Sequence, residues 1–172
     1  MKLFFVAGEK SGDLHGGNLI KALKAKNNQL EIEAWGGDNM QNEGAILKNH
    51  YRNMAFMGIW EVIKNLSTIY HNLEKCKEDI LNFAPDAVVL IDYADFKIKI
   101  AKYCKQKKIK VIYYISPKIW AWNTNRALKI KQLVDHMLVI FPFEVDFYKQ
   151  FGYEVDYVGN PIMDEIERFV PN

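Results

Sequence analysis

Short apolar runs that stop at turn residues, each followed by a stretch of helical periodicity, recur along this 172-residue chain and constrain its fold more than any other feature. The run 3–7 ends at Gly8. Leu14, Leu19, Ile20 and Leu23 then repeat three to four apart, with Asp13 placed to cap that helix. The run 30–35 closes at Gly36-Gly37. From Ile59 to Ile80 apolar residues again step by three and four until Pro85, and the run 87–91 follows. A helix over 96–107, with Asp95 as its cap, leads to the run 111–115, which stops before Pro117. Helical residues 126–133 precede the run 137–141, which stops before Pro142, and a short helix at 145–151 precedes the run 155–158. Strands that alternate with helices predict an α/β fold, a Rossmann-like parallel sheet with helices on both faces. Nothing within residues 1–172 reads as a linker or repeat, so the chain is taken as a single domain. A fresh helical start at Pro161 reads as the beginning of more protein.

Composition narrows the function. Apolar residues make up 49% of the chain, which excludes a disordered segment. A net charge of +2 gives no general electrostatic reason to bind nucleic acid. Cys76 and Cys104 stand 28 positions apart, neither a metal-ligand spacing nor a disulfide framework, so a reducing cytoplasm is expected. No apolar run is long enough to cross a bilayer, and membrane contact would have to be peripheral. The cluster 54–60 at the start of the long helical pattern offers one such contact. The lysines at 97, 99, 102, 105, 107, 108 and 110 read as a solvated helix face that could also attract anionic headgroups.

In an open parallel sheet, ligands collect beyond the carboxyl ends of the strands. Four loops have that address: 8–17, 92–96, 116–123 and 141–144. The first is glycine-rich and opens a helix, which suits either close backbone approach to a ligand or simple packing. It is neither a P-loop nor a dinucleotide fingerprint. Glu9 in this loop is placed to bind hydroxyls. Asp92 leaves an apolar strand, where an ionised group is costly to bury unpaired, and so faces a cleft or a partner; a desolvated carboxylate there could act as a general base. Trp120 and Trp122 either pack beneath their loop or line a pocket, and Arg126 and Lys129 on the next helix could hold a phosphate.

These residues resemble one family. The run 7–13 (Ala-Gly-Glu-Lys-Ser-Gly-Asp) is similar to the opening motif of lipid-A-disaccharide synthases. Further matches follow in order at 57–62, 91–96, 116–122, 141–144 and 157–161. The resemblance implies a GT-B type inverting glycosyltransferase. Its donor is a UDP-linked diacylglucosamine, its acceptor diacylglucosamine 1-phosphate, and its product the β-1,6-linked lipid A disaccharide. This chain would then be the acceptor-side, N-terminal half, inactive without a C-terminal nucleotide-sugar domain. The implied catalytic residues are Asp92 as base and Glu9 beside it. The implied substrate contacts are Gly8, Ser11, Gly12, Asp13, Met57, Trp120, Trp122 and Arg126. The family uses no metal and no cofactor, works in the cytoplasm on the inner face of the inner membrane, and leaves a homodimer open. Asn123 stands where the family usually has Arg, and Asn160 where many members have His. A UDP-sugar epimerase of the same architecture and a stand-alone flavodoxin-like binding module are the alternatives.

Overall fold

The computed structural model describes residues 1–54, 66–91, 94–121, 124 and 126–168. Among the described residues seven strands form one sheet: β1 (Lys2–Ala7), β2 (Glu31–Gly36), β3 (Ile46–His50), β4 (Ala87–Ile91), β5 (Lys110–Tyr114), β6 (His136–Val139) and β7 (Asp156–Tyr157). Their order is β3-β2-β1-β4-β5-β6-β7, and every pairing is parallel. The helices are α1 (Lys10–Lys26), α2 (Asp38–Asn42), α3 (Leu66–Phe83), α4 (Ala94–Gln106), α5 (Arg126–Leu133), α6 (Pro142–Lys149) and α7 (Pro161–Arg168).

From Leu3 onward β1 is apolar, and β4 is apolar throughout, because the helices cover both of their faces. The side-chain period of two splits them between two cores. Phe4, Val6, Val88 and Leu90 pack with Trp35 and with Cys76, Ile80, Ile100 and Cys104 of α3 and α4. Leu3, Phe5, Ala7, Val89 and Ile91 pack on the other face with Ile20 of α1 and Met40 of α2. Both cysteines are buried and unbridged, and burial pushes both thiols up, Cys104 to about 12.

Several expectations change at this level. The first helix begins at Lys10, with Glu9 rather than Asp13 at its cap position, so most of the presumed loop 8–17 is helix. Its glycines serve packing: a Cβ at Gly17 would lie 3.0 Å from the Asn39 backbone, and one at Gly16 would overlap Met40. Helix α4 starts at Ala94, which places Asp95 inside it. Helix α6 starts at Pro142, three residues earlier than periodicity suggested. Helix α2 and strand β3 were not anticipated at all.

Two surface expectations change in part. Met54 is buried against the Trp35 core instead of opening an exposed apolar cluster; residues 55–60 and the first part of the long helical pattern lie outside the described residues. Further along that pattern Leu73, Cys76 and Ile80 are core. Lys97 is fully buried, while the other six lysines of the presumed face are exposed. Among the described residues no helix is long and apolar enough to cross a membrane.

Candidate functional site at the carboxyl ends of the strands

The chain leaves β1 toward β2 on one side and β4 toward β5 on the other, while Ala7 pairs with Ile91 between them. A sheet that reverses its winding in this way opens a crevice beyond the carboxyl ends of those two strands. A cavity of about 340 Å³ lies on this side of the sheet. Glu9 contributes from the end of β1, residues 115–119 from the end of β5, Ile140, Phe141 and Glu144 from the end of β6, and Arg126 from the start of α5.

Of the expected site residues, the structure brings Glu9 and Arg126 into this one cavity. Glu9 is exposed and its side chain caps nothing, so its carboxylate stays open to the cleft. Gly8 is buried at the strand end and Ser11 is exposed on the first turn of α1. Gly12 packs its Cα against β1, where a Cβ would meet Ala7 at 3.2 Å. Asp92, Met57 and Trp122 lie outside the described residues, as does Asn123.

Asp13 does something the sequence did not disclose. Its carboxylate is 1% exposed and accepts from the amides of Gly37, Asn39 and Met40 at 2.7, 3.0 and 3.2 Å, and from the Asn39 side chain at 2.8 Å. It caps the short helix α2 from a neighbouring helix, supplying acceptors for backbone donors that a helix start leaves unpaired. Asn160 likewise caps α7, accepting from the Ile162 amide at 3.0 Å.

Trp120 packs rather than lining the cavity: its ring meets Phe143 edge-on at 5.0 Å, and Phe143 stacks on Phe141 at 5.6 Å. Beside this aromatic group sits Glu144, the functional candidate that residue reading missed. It is 1% exposed, and its Oε2 accepts from the amides of Ile140 (3.2 Å) and Phe141 (3.0 Å). Burial pushes its carboxyl up from the ordinary range. The amides of Phe141 and Ile140 and the side chains of Ser116 and Trp120 partly offset that rise. A legible signal existed: Pro142 and Glu144 stand at the first and third positions of a helix, a common start pattern.

One turn of α6 further on, Tyr148 meets Ser116 with oxygens 2.7 Å apart, and burial pushes the phenol up to about 12. Ser116 follows Ile115, a β-branched residue held at φ 66°. Such a conformation costs about 1–3 kcal/mol and survives only where its surroundings fix it. Here the Ile115 amide donates to Leu138 at 3.1 Å on one side, and Ser116 is tied to Tyr148 on the other. The strained turn lines the cavity.

Solved structures of low sequence identity share this fold. A putative UDP-N-acetylglucosamine 2-epimerase from Listeria monocytogenes superposes with a TM-score of 0.72 at 12% identity, covering 99% of this chain and 49% of that one. The UDP-GlcNAc 2-epimerase of Methanocaldococcus jannaschii, in complex with UDP-GlcNAc and UDP, gives 0.70 at 17% identity, covering 95% and 48%. The fold and its crevice therefore define a Rossmann-like domain of the GT-B type.

Sequence goes further than fold. The family model for lipid-A-disaccharide synthetase matches residues 3–172. The lipid-A-disaccharide synthases of Trichlorobacter lovleyi and Geobacter metallireducens are each 42% identical over 96% of this chain. The chain belongs to the lipid-A-disaccharide synthase family. It spans 43% of the length of those relatives.

Proposed function

We propose that this chain is the acceptor-binding half of an inverting glycosyltransferase. The enzyme joins UDP-2,3-diacylglucosamine to 2,3-diacylglucosamine 1-phosphate, and a further domain completes the donor site. The observation that carries the reading is the shared cleft of Glu9 and Arg126 at the switch point of a chain in this family. An acceptor of this kind presents hydroxyls and a phosphate. Glu9 accepts from hydroxyls, and the planar Arg126 guanidinium suits a phosphate.

Inversion needs a base to take the proton of the acceptor 6-hydroxyl as its oxygen attacks the donor's anomeric carbon. The bond from that carbon to the UDP oxygen breaks, and UDP carries away the electron pair. We assign the base to Asp92, which directly follows the last residue of β4, next to β1 in the sheet. In the enzyme completed by its donor domain, Asp92→Asn lowers kcat about 10²-fold or more with folding unchanged. Single-turnover transfer of radiolabelled sugar measures this, and near-normal turnover by a folded variant removes Asp92 from the role.

A further inference from the structure

Strand order lays the cleft out as a gradient. Its β1 end carries the Glu9 carboxylate, and its β5–β6 end carries Ile115, Pro117, Ile119, Ile140 and Phe141 beside the polar Ser116, Lys118, Arg126 and Glu144. The five apolar residues of this wall are more than a bare sugar phosphate held by Arg126 would use. It is also a built surface: Glu144 gathers the Ile140 and Phe141 amides onto one oxygen. Four residues on, along the same helix, Tyr148 holds Ser116 and with it the left-handed turn at Ile115. The two halves of the wall come from different strands, and α6 is the element that touches both.

We propose that Glu144 is a positioning residue that builds an apolar shelf at the β5–β6 end of the cleft, and that this shelf takes the first methylenes of a chain attached to a sugar seated toward Glu9. The inference rests on the reading of the cleft as the acceptor site and adds where the lipid part of that acceptor begins. Burying a carboxylate is costly, and burial pushes the Glu144 carboxyl up from its ordinary range. A neutral residue would have filled the space at less expense. What the carboxylate adds is a fixed direction for two amides and therefore a fixed place for the Phe141 ring.

Titration calorimetry on the chain with methyl β-glucoside and with octyl β-glucoside below its micelle concentration tests the shelf without any catalytic step. The wild type binds the octyl compound about tenfold tighter or more, the worth of burying about two methylenes. Phe141→Ala and Glu144→Ala bring that ratio toward one. Glu144→Gln, which keeps an acceptor oxygen and the side-chain volume, holds the ratio within about threefold of wild type. A wild-type ratio near one, or a ratio that survives in Phe141→Ala, overturns the proposal, and Phe141→Ala decides the matter even where Glu144→Ala fails to fold. Failure of the completed enzyme to transfer sugar, with the alkyl ratio intact, would sink the acceptor reading and leave the shelf standing.

Discussion

Asp13 and Glu144 are two buried acids with the same local chemistry, at the carboxyl ends of different strands. Each is 1% exposed, and each collects backbone amides near the start of a helix. Asp13 is not among the residues that line the cleft; it locks α2 against α1 at the carboxyl end of β2. Glu144 lines the cleft and locks the loop after β6. Asp13 spreads four donors over both oxygens, whereas Glu144 sends two amides to one oxygen. Burial and hydrogen bonds alone do not distinguish the two acids; a place in the cavity wall does.

The comparison breaks most readily at Asp13. Asp13→Asn replaces one acceptor oxygen with a donor facing other donors, and we expect a loss of about 3 kcal/mol. Chemical denaturation measures it. A stability within about 0.5 kcal/mol of wild type would show that the α2 start finds other partners.

Glu144 sharpens the contrast through pH. A carboxyl raised in the folded state binds its proton more tightly there than when unfolded. Stability therefore falls as pH rises through the window from the ordinary glutamate value up to the raised one. Over that window the wild type loses stability relative to Glu144→Gln. Asp135 behaves in the opposite sense. Its burial would raise the carboxyl, but Lys105 at 2.7 Å and the Val111 amide outweigh this and lower it. Stability from Asp135 is thus present above the ordinary aspartate value and lost as pH falls through the lowered one. Midpoints of urea unfolding across pH 2–7 for Glu144→Gln and for Asp135→Asn, each against wild type, check both signs, and parallel curves for Glu144→Gln and wild type would remove the burial effect.

Glu9 gives the smallest change in stability. It is exposed and uncapped, so Glu9→Gln leaves unfolding within about 0.5 kcal/mol of wild type. Loss of its charge weakens binding of glucosamine 1-phosphate about tenfold, the worth of a hydrogen bond from a hydroxyl to a charged acceptor. Unchanged affinity in calorimetry would place the sugar elsewhere.

The fold was legible where the period was long or the burial complete. Strands β1 and β4 are buried on both faces and show as unbroken apolar runs, and helices α1, α3 and α4 are long enough to repeat. Helix α2 is five residues long and β3 lies at the sheet edge with only two apolar residues, so neither has a period to read. The site was partly legible for a different reason. Glu9 and Arg126 could be placed because strand ends and helix starts are addresses that sequence gives. The partner of Asp13 lies 24 to 27 residues away on another element, and no local pattern announces it. Lys97 shows the same limit, since a helix face that reads as charged can still turn one lysine inward.

The central claim is that the acceptor lies in the cleft at the carboxyl ends of the strands. Amide chemical-shift mapping of the chain with glucosamine 1-phosphate tests it against a second cavity of about 460 Å³ at the amino ends, bordered by Lys2, Glu31, Gly44 and Phe83. The account predicts shifts at Glu9, Ser116, Ile119 and Phe141. Shifts confined to Lys2, Glu31, Gly44 and Phe83 would contradict it.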